Sequence, residues 1–582
     1  MSVLPSLTRS LPGQRRLRLP GSEHWVLWLL ALMIGLLSVA PLARLVWAAV
    51  APQGVPDSQR LFELLATPRV LRATGNTLLI ALASTALALL LGTLAAWLVA
   101  LSNMRAKAAW VFAFILPLMI PPQVTALAWV QALSPSSLVM QALVALGLPF
   151  DSGGPPPLYS LGGIILLLGL HNAPLVFLAV RAGLQRLPAE LVEAARITGA
   201  SPLHVLLTVV LPLARPAIFA GAALSFVAAA GNFGIQAMLG IPGRVPTLIT
   251  LVYQQLNTTG PGALPDMAVL SLLLTAITLG GMLVSNLLGG RRDVRVNGST
   301  QPFTQSLGRW RLPVECAVWL LMVLMVLILL LPLSALLTTS LTQGFGQSLN
   351  LQSLTLLNYR NALFDYPAVR HAFLTSLGLT LLAVAILTVM ALFMACFLSW
   401  RRSRLVRVLH LSSELAYALP GVVTGIAALL FFLKPLPLVN VSLYGTVWII
   451  LAAYLSNFLA LVLRPTLAGF ARIERSLDEA AQLAGAGFLR RMRDIVLPLV
   501  APSAIAGAIL VFLTALNEIQ VSILLVTSAT QTLGPTIVFL DEGGSSTLAA
   551  AVGCLMILLV VLLMLLASWL ARRHRGVLPW QV

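Results

Sequence analysis

The chain has 582 residues, of which 59% are hydrophobic and only 9% charged, whereas water-soluble domains carry about 25% charged residues. So little polar side chain cannot cover a globular surface, which excludes a soluble protein and makes lipid the natural solvent. The net charge of +18 does not signal nucleic acid either, because the basic residues sit in short clusters between apolar runs and not on one folded face.

Crossing the hydrocarbon core of a bilayer takes about 20 predominantly apolar residues, and the sequence predicts twelve such runs separated by loops rich in Pro, Gly and Arg. Residues 1–24 form a basic tail with Arg9, Arg15, Arg16 and Arg18. The tail looks like the start of a signal peptide, but the apolar run behind it is too long and lacks a small-residue cleavage site, so it reads as a retained anchor. Six spans are expected near Trp25–Val50, Thr77–Leu101, Ala108–Leu133, Leu161–Val180, Ala217–Leu239 and Met267–Leu288, making a first domain over 25–290. A polar, basic cytoplasmic linker follows over 291–313. The second domain, 314–582, has spans near Val314–Leu337, Ala372–Trp400, Val408–Leu433, Leu443–Leu463, Ser503–Thr527 and Leu548–Ala571. Cys316, Cys396 and Cys554 fall inside apolar runs with no local partner, so they signal neither a disulfide framework nor a zinc site and are expected as small core residues. The expected fold is an all-α polytopic membrane protein of about twelve transmembrane helices in two homologous six-helix halves.

Orientation follows from charge, because Lys and Arg concentrate on the cytoplasmic side. Threading from an inside N-terminus places 28 of the 36 basic residues inside, seven outside and Arg44 within the first span. The reverse threading inverts that ratio, so both termini are expected in the cytoplasm.

The halves carry an internal repeat. Glu193-Ala194-Ala195 is followed by Gly199-Ala200 and by Pro212, and each member recurs 286 residues later as Glu479-Ala480-Ala481, Gly485-Ala486 and Pro498. Pro121 and Thr125 likewise recur as Pro420 and Thr424, at an offset of 299. The difference is absorbed by the outer loop from Ser134 to Ser160, which the second half shortens. Both repeated loops fall on the cytoplasmic side. Pro188 suits a first helical position, and Ser476 with Glu479 has the spacing of a capping box. The alanines favour helix and permit close approach of a partner, while Gly199 and Gly485 suit the left-handed residue that closes a helix. A second short helix is expected from Ser201-Pro202 onward, ended by Pro212 or Pro498. An ordinary connector needs no such fixed interval in both halves, whereas two copies of one docking surface would.

Glu-Ala-Ala-x-x-x-Gly followed by Leu-Pro resembles the cytoplasmic "EAA" signature of binding-protein-dependent ABC importer permeases, and the resemblance covers nearly the whole chain. Two fused six-span units are similar to the iron(III) permease type, which has relatives for thiamine, polyamines and phosphonates. The resemblance implies a bacterial inner-membrane permease working by alternating access. Its coupling residues are Glu193, Ala194, Ala195, Gly199, Pro212, Glu479, Ala480, Ala481, Gly485 and Pro498. It further implies two copies of an ATP-binding subunit that use ATP and Mg, a periplasmic solute-binding protein that delivers the cargo, and no cofactor bound by this chain. In agreement, the only lysines, Lys107 and Lys434, stand in no Gly-Lys-[Ser/Thr] phosphate loop.

Two other classes compete. A membrane-embedded enzyme needs a polar catalytic cluster, and none is visible. His371, Tyr359 and Tyr366 share an outer loop, but Tyr is enriched at the membrane boundary in any case. An ion-coupled secondary transporter also uses six-span repeats but needs carboxylates within the spans, where Glu518 is the clear example, since Glu414 lies near a span end and can snorkel. Glu518 is expected about 15 residues into the eleventh span, where an acidic group costs about 2.5 to 3.5 kcal/mol, so it must face the interior. Its counterpart 286 residues earlier is Asn232. The two are expected to line the translocation pathway as a gate or a cation-attracting site, the alternative being a hydrogen-bonded Glu that locks helix packing.

Overall fold

The computed structural model describes residues 22–573 apart from 291–310 and short loop stretches, among them 148–156 and 436–439. Nine helices among these residues are long and apolar enough to cross a membrane: Glu23–Val50, Pro68–Leu101, Leu161–Leu184, Leu206–Gly231, Ala263–Gly289, Pro367–Trp400, Val447–Phe470, Phe488–Leu516 and Ser546–Leu565. Two more crossings are bent pairs, Lys107–Met119 with Pro122–Ala132 and Arg404–Ala418 with Gly421–Phe432. The seventh span is the helix Arg311–Ser340, apolar over Leu312–Leu324 and Leu330–Ser340. The repeat holds at the level of whole elements. Pro68–Leu101 and Pro367–Trp400 are 299 apart at both ends, and Leu161–Leu184 and Val447–Phe470 are 286 apart.

Four spans differ from the continuous runs predicted. The third and ninth break by 91° and 113° at the prolines of the second repeat match. A proline ring disfavours the helical region for the residue before it. Accordingly Ile120 and Leu419 are extended, with ψ of 130° and 146°, and the chain restarts as a new helix after Pro121 and Pro420. The fifth and eleventh helices begin and end earlier than predicted, each stopping at a break that contains Asn232 or Glu518.

Helices in lipid associate by close packing and not by the hydrophobic effect, which favours small residues at their crossings. Gly92 lets the second helix lie on the fourth so closely that a Cβ there would come within 2.6 Å of the Ala173 carbonyl oxygen. Gly221 on Val176 is repeated as Gly507 on Val462, the same fifth-on-fourth contact in each half.

Each half is completed by the other's first helix. Leu27, Leu30 and Ile34 bury in the second half's core, and Ser456 bonds to Ser38 at 2.9 Å. Conversely Val318 and Met322 of the seventh helix bury in the first half. There Trp319 meets Trp110 edge-on at 4.4 Å, and Glu315 accepts the Arg105 N–H at 3.2 Å. Cys396 is buried as expected and Cys554 is half-buried, but Cys316 on the seventh helix is exposed.

Candidate functional site

Each repeated loop is a helix, a turn and a second short helix. They are Ala189–Ile197 with Pro202–Val205, and Arg475–Leu483 with Phe488–Arg491; Pro188 lies outside the described residues. Both first helices close identically. The Ala200 N–H donates to the Ala195 carbonyl (3.2 Å) and the Gly199 N–H to that of Arg196 (2.9 Å), while Ala486 donates to Ala481 and Gly485 to Gln482 (both 3.0 Å). This double closure needs a left-handed residue just past the helix. Gly199 and Gly485 supply it with φ of 82° and 80°, as their spacing predicted.

Two local expectations are corrected. Ser476 and Glu479 form no capping box, because the helix already begins at Arg475. Ser476 inside it donates to the Glu474 carboxylate (3.2 Å), and Glu479 pairs with Arg475 (3.0 Å). Pro212 and Pro498 do not end the second short helices, which run on through π-turns, Leu206–Val210 and Met492–Val496, into the spans. In each turn an N–H bonds five residues back, Leu211 to Leu206 and Leu497 to Met492, so the ladder steps past the proline's missing donor.

The loops share a feature that the sequence reading missed, although its spacing was there to be read. Leu191, Ala194 and Ile197 form an exposed apolar row, and Leu477, Ala480 and Leu483 repeat it. At the tips Ile197 is 87% and Leu483 91% exposed. Glu193 and Glu479 are exposed beside the rows, and Ala195 and Ala481 are half-buried beneath them. A lone exposed Leu means little, but matched rows on both copies make two equivalent exposed apolar surfaces.

From each loop one helix runs inward. Leu206–Gly231 has 26 residues and Phe488–Leu516 has 29, or about 39 and 44 Å at about 1.5 Å per residue. Just past the first, Asn232 accepts the Ile235 N–H (2.9 Å) and caps the helix Phe233–Gly240. Glu518 was placed inside the eleventh helix by its apolar surroundings, but it lies two residues past the end of that helix. Its carboxylate, nearly buried, accepts the N–H groups of Val521 and Ser522 (3.0 Å to the latter) and fastens the turn Ser522–Leu524. The paired positions therefore share one structural task.

These breaks interlock with the kinks of the third and ninth spans. Gly234 lies so close to the backbone of Gln123 that a Cβ would come within 2.8 Å of its nitrogen. In the second half the Gly421 N–H donates to the Gln520 side chain (3.2 Å). Across the halves Gly231 faces Pro420, where a Cβ would lie 3.2 Å from the proline's own. Gln123 is fully buried here with its side-chain amide unpaired among the described residues, another polar group the sequence reading passed over. Glu414 is paired with Arg464, consistent with its place near a span end.

A duplicated six-helix bundle with matched loops joined to central breaks defines a two-domain membrane permease. The chain belongs to the family of binding-protein-dependent transport system inner membrane components, whose model matches residues 88–298 and again 387–576. It is 28% identical to a probable ABC transporter permease protein, y4fN, of Sinorhizobium fredii, over 79% of this chain and 80% of that one. It is 25% identical to the Fe(3+)-transport system permease protein FbpB 2 of Haemophilus influenzae, over 88% and 92%. It is also 30% identical to the molybdenum transport system permease protein ModB of Haemophilus influenzae, over 38% of this chain and 95% of that one.

Proposed function

We propose that this ABC importer permease carries iron(III) into the bacterial cytoplasm. It would receive the ion from a periplasmic binding protein and dock two ATP-binding subunits, one per loop, that use ATP and Mg. The observation that carries the docking role is the pair of exposed rows ending at Ile197 and Leu483. Iron(III) is favoured because the Fe(3+) relative aligns along both halves. Molybdate is the second reading, favoured by the higher identity to ModB over one half. The charge asymmetry favours cytoplasmic loops and termini.

In this reading, nucleotide-driven approach of the two ATP-binding subunits moves the loops, and the helices Leu206–Gly231 and Phe488–Leu516 act as levers. Gly199 and Gly485 aim the docking helices, and Pro212 and Pro498 mark where each loop is continuous with its lever. Asn232 and Glu518 hold the gate segments at the far ends. Glu518 serves as a cap more than as a cation ligand, since both its oxygens already accept backbone N–H groups.

The test is reconstitution of the chain with the ATP-binding and binding proteins encoded beside it, comparing ATP-dependent uptake of radiolabelled ferric ion and molybdate. Uptake of ferric ion alone is expected. Uptake of molybdate alone would replace the substrate, and uptake driven by an ion gradient without ATP would overturn the class.

A further inference from the structure

One cluster is used neither by the docking rows nor by the gate. Arg491, the last residue of the short helix Phe488–Arg491, is 6% exposed. Its guanidinium donates to Asp478 through one nitrogen and to Glu23 through another (2.8 Å). Arg401 donates to the remaining Glu23 oxygen and Gln482 to the remaining Asp478 oxygen, each at 2.8 Å. Asp478 stands beside Glu479 in the docking helix, Glu23 opens the first transmembrane helix, and Arg401 follows the eighth. Four pieces of chain thus meet in a group of two cations and two anions.

Such a group fixes register. A guanidinium presents its donors in a rigid fork and does not deprotonate, so sliding Arg491 or Asp478 breaks a pair between two buried charges, a change far costlier than the net worth of that pair. In the first loop the positions 286 earlier are Val192 and Val205, buried at 2% and 3% in a core that includes Val318 and Met322 of the seventh helix. Apolar contact is non-directional and tolerates sliding. The first helix meanwhile extends away from the cluster, and its far end, at Leu45, Ala48 and Ala49, shares a core with Met267 and Leu270 of the sixth helix.

We propose that Arg491 is a positioning residue that clamps the second docking loop to the first transmembrane helix, so that movement of this loop is passed directly to the first half. The two loops are then unequal, the second being a fixed arm and the first a sliding one. The clamp rests on the docking role proposed above.

The test is hydrogen exchange on the chain assembled with its ATP-binding subunit in lipid nanodiscs, with and without a non-hydrolysable ATP analogue. In the natural chain, nucleotide should change exchange over both 475–483 and 23–34. The double variant Asp478→Val/Arg491→Val copies the first loop's apolar pair and leaves the docking row intact. It should keep the response over 475–483 and lose that over 23–34 by about tenfold, within the range of coupling between linked sites. Arg491→Lys, which keeps the charge but not the fork, should lose less. If the double variant does not assemble, Glu23→Gln decides, since Arg491 stays paired with Asp478 while the link to the first helix weakens. An undiminished response over 23–34 in these variants overturns the clamp. No response over 475–483 in the natural chain removes the docking reading and the clamp with it, a distinct result.

Discussion

Gly199 and Gly485 allow a test in which the physical term is isolated. Both are left-handed, and a Cβ at either meets nothing within 4 Å. The first atom of a side chain there therefore meets no neighbour, and the cost that follows from the backbone alone is about 1–2 kcal/mol per residue. That is small against the stability of a twelve-helix protein, but it multiplies the population of misdirected loops by about 5- to 30-fold at each site. The double variant Gly199→Val/Gly485→Val should insert at normal levels and lose transport, with the ATP-binding subunit recovered less well on affinity purification. Asn tolerates the left-handed region, so Gly199→Asn/Gly485→Asn should keep most transport despite its larger side chain. Wild-type transport in the valine pair would refute the reasoning. An asparagine pair as inactive as the valine pair would show that size and not backbone conformation matters.

Replacing Ile197 and Leu483 by Asp should abolish copurification of the ATP-binding subunit without loss of the chain from the membrane, because each docked side chain of this size contributes about 1.5–3 kcal/mol; unchanged recovery would remove the docking surface. Glu518→Gln keeps the size but turns one of the two oxygens that accept backbone N–H groups into a donor NH2, so the midpoint of thermal unfolding and transport should fall together, with about 1–3 kcal/mol lost. A fall in transport at unchanged stability would instead assign the charge to the substrate. Gly92→Val should reduce the amount of folded chain, read by detergent gel filtration, since its Cβ would meet the Ala173 backbone; normal yield would contradict the close crossing. Reporter fusions after Val180 and Leu463 should signal cytoplasm, and a periplasmic signal at either would break the threading.

What the sequence made legible was whatever depends on composition or on backbone geometry. Apolar run length located the spans, and the Gly199 and Gly485 spacing located the helix closures, because few residues other than glycine adopt that conformation readily. The kinks were equally written in Ile120-Pro121-Pro122 and Leu419-Pro420, but hydropathy averages across such a break and reports one span. Glu518 was misplaced for the same reason: an apolar window cannot tell a helix from the capped turns that follow it. The Arg491 cluster joins residues as far apart as Glu23 and Arg491, a pairing that depends on the exchange of first helices between halves and leaves no local pattern.

Comparison of the two halves separates what their shared backbone requires from what can be met in several ways. Where a left-handed residue or a kink is needed, the halves carry the same residue, Gly199 and Gly485 or Pro121 and Pro420. One close crossing is shared as Gly221 on Val176 and Gly507 on Val462, whereas the close approaches at Gly92 and Gly234 belong to the first half, with Ala391 and Gln520 at the matching positions. Where a hydrogen-bond acceptor is needed, the chemistry diverges, one amide oxygen of Asn232 capping one N–H and two carboxylate oxygens of Glu518 capping two. Where two elements need only be held together, it diverges further, from Val192 and Val205 to Asp478 and Arg491. The helix that runs from each repeated loop to the break at Asn232 or Glu518 is therefore common to both halves, while the fastening at its outer end is not. Duplication preserved the backbone of this helix, while the side chains that fasten its outer end diverged from an apolar pair to a charged one.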